Sequence, residues 1–208
     1  MTFLILGATG GTGKHLVAQA LEAGHDVTAL ARPGTKPGPE HPRLRVVAGD
    51  LQNVAAVADA MRGHDAVICA IGRGNSFASE HLIERTVPVI LAAMKEAGVR
   101  RLLFTSALGV GPSFADAPIM PRLFFRTLLR GIYADKLIGD QLIRSSGLEW
   151  TIVQPSRMTD GPLTRTYHSG PQLALSGMPS ISRADVAHFL LHAAGDPATI
   201  GKTLLVSS

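Results

Sequence analysis

Apolar residues in this chain gather into short runs, and most runs are followed by a stretch in which they return every three or four positions. Phe3 to Leu6 is too short for a helix and halts at Gly7, so it predicts a buried strand. Leu16, Val17, Ala20 and Leu21 share one helical face, and Gly24 stands where such a helix would end. Residues 26–31, 44–50, 66–72 and 101–107 predict further strands. Residues 54–63 predict a helix closed by Gly63. Val87, Ile90, Leu91 and Met94 predict another over 79–97, kinked at Pro88 because the ring removes a hydrogen bond. Residues 33–42 hold four prolines and two glycines and read as a loop. Strand and helix thus alternate, which predicts an α/β fold: a doubly wound, mainly parallel sheet flanked by helices.

The second half is less regular. It predicts a helix over 135–147, a strand over 150–155, and loops with one short strand over 156–181. A helix over 182–195 opens on a capping box formed by Ser182 and Asp185, and a last strand follows over 203–207. We expect a single domain over 1–208, with 108–133 and 156–181 as insertions on the substrate side and a small irregular C-terminal region.

Composition narrows the classes. At 208 residues, with 46% hydrophobic and 17% charged, the chain has enough apolar mass for a sizeable core, which argues against global disorder. The single cysteine, Cys69, excludes an internal disulfide framework and fits a reducing, cytoplasmic setting. Neither a leader-like segment nor an apolar run long enough for a membrane span is expected, so no membrane association is predicted. The net charge of +4 permits nucleic acid, but 5% aromatic residues offer few stacking platforms, and no nucleic-acid partner is expected. A polyanionic small ligand accounts for the charge equally well. Cys69 and the histidines show no metal-ligand spacing, so no metal is expected.

The informative stretch is FLILGATGGTG, residues 3–13. Gly7, Gly10 and Gly13 recur every third residue between the first strand and the first helix. In an open parallel sheet this is where a dinucleotide pyrophosphate docks. Glycine admits the phosphates to the backbone, and the helix N-terminus supplies free N–H groups and positive potential. No Gly-Lys-Ser/Thr follows, which excludes a nucleoside-triphosphate loop of the Walker type. An NAD site places an acid near the end of the second strand for the ribose 2′-hydroxyl. Here no acid occurs between Val27 and Pro39, and Arg32 stands at that position with Thr35 and Lys36 nearby. A guanidinium suits a 2′-phosphate by charge and by fork geometry; a solvated loop arginine is the other reading. After the third strand, Asp50 is either an acceptor for the adenine amino group or a turn or N-cap residue.

These segments, together with VVAGD, AAMKEAGVRRLLFTSALG, LIRSSGLEWTIVQP and GPLT, resemble the atypical short-chain dehydrogenase/reductase superfamily. The branch containing biliverdin-IXβ reductase, also called flavin reductase, is the one they resemble. The resemblance covers nearly the whole chain and implies a Rossmann-like fold that binds NADPH and passes hydride to a flavin, a quinone or an open tetrapyrrole. It implies cofactor contacts at Gly7, Thr9, Gly10, Gly11, Thr12, Gly13, Arg32, Asp50, Leu51, Ala70, Ile71, Gly72 and Pro155. It also places Ser106 beside the nicotinamide, so Ser106 and Lys136 are the candidate catalytic residues.

Departures from the pattern matter. Conventional members carry Tyr-x-x-x-Lys on one helix, where the lysine lowers the tyrosine pKa for proton transfer. Tyr133 lies three residues before Lys136, and the matching position holds Ile132. Tyr133 is therefore expected to be non-catalytic, and Lys136 either to hold ribose hydroxyls or to be solvated. Where the branch often has a histidine, this chain reads Pro155-Ser156-Arg157, and Arg157 becomes a candidate for attracting an anionic acceptor. Residues 119–133 place Phe124, Phe125, Leu128, Leu129 and Ile132 opposite Arg122, Arg126 and Arg130. That pattern fits a core-packed helix with a wet basic side, a lid over a flat acceptor, or a dimer contact.

The function expected is an NADPH-dependent reductase of a small planar acceptor, acting as a monomer or homodimer. A non-catalytic NADP(H)-binding redox sensor and a sugar epimerase or dehydratase are the alternatives.

Overall fold

The computed structural model describes residues 1–72, 81–115 and 130–208. Its strands are β1 (Thr2–Leu6), β2 (Asp26–Ala31), β3 (Leu44–Ala48), β4 (Ala66–Cys69), β5 (Arg101–Thr105), β6 (Glu149–Pro155), β7 (Arg157–Thr159), β8 (His168–Gly170), β9 (Ser180–Ser182) and β10 (Lys202–Ser207). The helices are α1 (Gly11–Glu22), α2 (Val54–Met61), α3 (Leu82–Ala97), α4 (Arg130–Arg144) and α5 (Arg183–Gly195).

Eight strands form one sheet in the order β3-β2-β1-β4-β5-β6-β10-β8. All neighbours run parallel except β8, which is antiparallel to β10 at one edge. Helices on both faces explain why β1, β4 and β5 are almost wholly apolar: each buries both sides. Phe3 and Ile5 face α1 and α5, while Leu4 and Leu6 face the core under α2, α3 and α4. The doubly wound sheet is thus present. Strand order reverses between β1 and β4, so the crevice for a ligand opens at the carboxyl ends of those two strands.

Several elements differ from what the sequence predicts. Strands β3, β4 and β5 stop at Ala48, Cys69 and Thr105, because the segments after them leave the sheet at the crevice. Helix α4 covers 130–144 rather than 135–147, which puts Tyr133 and Lys136 on one helix. Within 156–181, three short strands replace the single one expected, since β7 and β9 pair as a separate two-stranded sheet. The start expected for α3 near Ser79, and most of the basic and aromatic pattern of 119–133, lie outside the described residues.

Helix α4 packs against α3. Asp135 of α4 is buried and accepts from the N–H groups of Ile83 (3.0 Å) and Glu84 (2.8 Å), so one helix caps the other. The first residue before α3, His81, has no side-chain cap bond of its own. We expect Asp135→Ala to cost about 2 kcal/mol, the upper range for losing an N-cap, with Asp135→Asn recovering part of it. Chemical denaturation of both variants checks this.

Candidate cofactor-binding site

Helix α1 begins at Gly11 with Gly10 as N-cap, no side-chain cap and no acid in its first turn. Its first amides have no intrahelical acceptor. The glycines before it are fixed by space. Gly7 has φ +83°, and a Cβ there would lie 2.7 Å from the Ala70 carbonyl oxygen. A Cβ on Gly13 would lie 2.0 Å from the Gly7 carbonyl oxygen. Gly10 is different: its backbone is extended, and a Cβ would meet only Gly7 oxygen, at 3.2 Å. Gly10 and Gly11 are exposed, as a ligand-facing turn requires. Thr9 is half-buried, whereas Thr12 is buried and donates to Met158 Sδ (3.7 Å), turned away from the crevice.

On the β2 side, Arg32 is exposed at the strand's carboxyl end. Its carbonyl accepts from the Thr35 N–H (3.1 Å) and hydroxyl (2.7 Å), which closes a turn and leaves the guanidinium outside it. Among the described residues that guanidinium has no ion pair. Asp50 is exposed, and its Oδ1 accepts from Gln52 N–H (2.9 Å) as a turn residue; the N-cap of α2 is Asn53. Leu51 packs against the core beneath this turn. Ala70, Ile71 and Gly72 follow β4 across the crevice, and Gly72 is open on its Cβ side.

On the β5–β6 side the chemistry turns inward. Ser106 is only 2% exposed, and its hydroxyl donates to Asp140 Oδ2 (3.1 Å). Gln154 Nε2 donates to the same oxygen (3.2 Å) and to Val110 carbonyl (3.1 Å). Asp140 is fully buried; Arg144 stands 3.8 Å away, and Oδ1 has no hydrogen-bond partner among the described residues. Lys136 is not a solvated lysine: its Nζ donates to the carbonyls of Thr105 (3.3 Å) and Ser106 (3.4 Å). Tyr133 donates to the Leu108 carbonyl (2.9 Å), and burial holds its phenol above the usual range. Burial pushes Lys136 down, against the pull of Asp140. Pro155 is buried, and its carbonyl accepts from Leu108 N–H (3.0 Å). Arg157 is exposed on β7.

Burial also pushes Asp140 up, over the opposing effects of Ser106, Arg144, Lys136 and Gln154. A carboxyl whose folded pKa is raised stabilises the fold fully below its unfolded value and loses that contribution as pH rises through the folded one. Asp140→Asn keeps an acceptor for Ser106 and Gln154 but does not ionise. Its stability relative to the native chain should therefore rise as pH increases from about 4 toward 7, by no more than ~1.4 kcal/mol per pH unit. Denaturant titrations at several pH values check it; parallel curves would mean that Asp140 titrates normally.

Further along the same sheet edge, a groove of about 460 Å³ lies at the end of β10. His168, Leu173, Leu175 and Ser207 line part of it, and the two leucines pack on Leu108 and Leu205.

Three polar residues of this region escaped the sequence reading. Asp140 follows Lys136 by one helical turn, and that spacing was the available signal. Gln154 lay inside an apolar strand, where a lone polar residue is a weak flag. Arg183, in the sequence only one residue of a helix start, reaches back to Gly11. Among the described residues no cluster could hold a metal ion, and no helix is long and apolar enough to cross a membrane.

A family model described as NAD(P)H-binding matches residues 7–197. Among curated proteins, the bifunctional pinoresinol-lariciresinol reductase 2 of Linum usitatissimum is 24% identical over 98% of this chain and 64% of its own length. The chain thus spans a little under two thirds of that relative. Among solved structures, a short-chain dehydrogenase/reductase of Veillonella parvula DSM 2008 in complex with NADP superposes with TM-score 0.82 at 21% identity, covering 100% of this chain and 94% of the other. A proposed NADH-flavin reductase of Streptococcus pneumoniae TIGR4 gives 0.80 at 23%, covering 100% and 99%. At these identities the structures show a shared Rossmann-like fold.

Proposed function

We propose that this chain, which belongs to the NAD(P)H-binding family, is an NADPH-dependent reductase that delivers hydride to a flat, apolar acceptor such as a flavin or quinone. The observation that carries the reading is the crevice at the β1–β4 switch. Gly7 and Gly13 let the first turn of α1 pack against the ends of β1 and β4 at distances no Cβ would allow, α1 has neither a side-chain cap nor an acid in its first turn, and Arg32, with no ion pair among the described residues, stands where an NAD site has an acid. Those residues fit a dinucleotide with a 2′-phosphate. Bound there, NADPH would supply the hydride.

The protein's own part is to bind, orient and exclude water. Gly10 and the first turn of α1 would hold the pyrophosphate, and Arg32 the 2′-phosphate. Ala70, Ile71 and Gly72 would border the nicotinamide half. Lys136 and Ser106 shape the far wall through bonds to backbone and to Asp140. Tyr133 is a poor acid here, because burial raises the pKa of its phenol and its hydroxyl donates to the Leu108 carbonyl. That favours an acceptor which solvent can protonate, and flavins and quinones are of this kind. The relatives named as reductases lend support to the class of reaction.

Steady-state oxidation of NADPH with flavin and quinone acceptors, beside calorimetric binding, tests the proposal. Binding with turnover is expected. Binding without turnover on any acceptor would instead make the chain a sensor of the NADPH/NADP⁺ ratio.

A further inference from the structure

Arg183 opens α5, and its side chain crosses to the start of α1. A Cβ on Gly11 would lie 2.7 Å from Arg183 Cδ and 2.9 Å from Nε. The absence of a side chain at Gly11 is thus what lets an arginine from the far end of the sequence lie on the glycine loop. Its Nη1 donates to Asp160 Oδ1 at 2.6 Å; the Asp160 side chain is 87% exposed and that of Arg183 24%. Two bonds keep the neighbourhood together. Gln19 of α1 donates to the Ala184 carbonyl (2.9 Å), and Thr12 donates to Met158 on β7.

This place combines two helix N-termini and a guanidinium with the carboxylates of Asp160 and Asp185. The positive end of α1 carries no acid and no side-chain cap. The first turn of α5 starts beside it, and its acid, Asp185, already accepts from Ser182, Thr164 and Arg165. A guanidinium is then added to two helix N-termini. Asp160, out in solvent, is a weak partner for it, because exposed ion pairs contribute little. A doubly charged group on the glycine loop would be a stronger partner, since a charged, fork-shaped donor binds phosphate oxygens in pairs.

We propose that Arg183 is a pyrophosphate-binding residue of the dinucleotide site, and that Asp160 holds its guanidinium over the loop until the phosphate takes the carboxylate's place. The inference rests on the NADPH reading above. It makes the C-terminal helix part of the binding site, reached from a segment that shares no local sequence pattern with the glycine loop.

Calorimetry with two ligands tests it. NADPH carries the pyrophosphate; adenosine 2′-phosphate carries the base and the 2′-phosphate without it. Arg183→Met should weaken NADPH about tenfold to a hundredfold, the range for a lost charged hydrogen bond, and leave adenosine 2′-phosphate unchanged. Asp160→Asn, at an exposed position, should bind NADPH a few-fold more tightly, because the competing carboxylate is gone. NADPH affinity of Arg183→Met within twofold of native would overturn the proposal alone, as would weaker NADPH binding in Asp160→Asn. Equal losses for both ligands in Arg183→Met would show a damaged fold rather than a lost contact, and would likewise overturn it. If the native chain binds no NADPH, the functional proposal fails and this one with it.

Discussion

Gly13→Ala is expected to abolish NADPH binding and to cost the fold on the order of 3 kcal/mol, the upper range for overpacking. The added Cβ would lie 2.0 Å from the Gly7 carbonyl oxygen and 2.7 Å from Ala8 Cα. Both are backbone atoms, so no side-chain rotation relieves the clash. Backing Gly7 away is blocked as well, because Ala70 backbone stands 2.7 Å from its own Cβ position. The helix start, the turn and the β4 end form one rigid stack, and a methyl group in its centre must displace part of it. Gly10→Ala makes the contrast. It meets Gly7 oxygen at 3.2 Å in an ordinary extended conformation, so the fold should yield by a few tenths of an ångström. Its loss should appear in NADPH affinity, where a side chain stands between the loop and the phosphates. Denaturant unfolding and calorimetry on both variants separate the two effects. Native-like NADPH binding by Gly13→Ala would remove the pyrophosphate from this loop.

That contrast marks where sequence reading stops. Glycine spacing located the loop, but Gly7, Gly10, Gly11 and Gly13 looked alike. Only the packing distinguishes a glycine needed for φ, one needed for helix–strand contact, and one that admits an arginine. The parallel sheet was legible because β1, β4 and β5 bury both faces and so read as unbroken apolar runs between amphipathic helices. The β7–β9 pair was not, because three-residue strands in a Gly-, Pro- and Ser-rich stretch have no period to detect. The early start of α4 was hidden by Gly131 and the β-branched Ile132, poor helix formers in isolation. Ser106 was legible as a hydroxyl at a strand's end. Its direction was not, because Asp140 approaches it from another helix. The same holds for Arg183 and Gly11: partners brought together by tertiary structure leave no mark in local spacing.

Arg32→Ala should weaken NADPH by about 1.5 to 3 kcal/mol, roughly tenfold to a hundredfold, and leave NADH nearly unchanged. Arg32 follows Ala31 at the end of β2, exposed, with its carbonyl tied into the Thr35 turn. No ion pair among the described residues holds its guanidinium, so binding a phosphate breaks no existing bond. Asp50, the nearest acid after β3, is occupied by the Gln52 amide through one oxygen and lies in a turn. A 2′-phosphate would meet a cation that no ion pair among the described residues holds; a 2′-hydroxyl would find no carboxylate at the end of β2 to receive it, which is why NADH gains little from this position. Arg32→Lys keeps the charge but not the fork, and should fall between native and alanine. The difference between cofactors should also shrink as salt rises, since the site is exposed and screened. Calorimetry of NADPH and NADH on the three proteins at two ionic strengths measures all of this. Equal losses for both cofactors in Arg32→Ala would place the 2′-phosphate elsewhere, and Lys36, on the same turn, would be the next cation to replace.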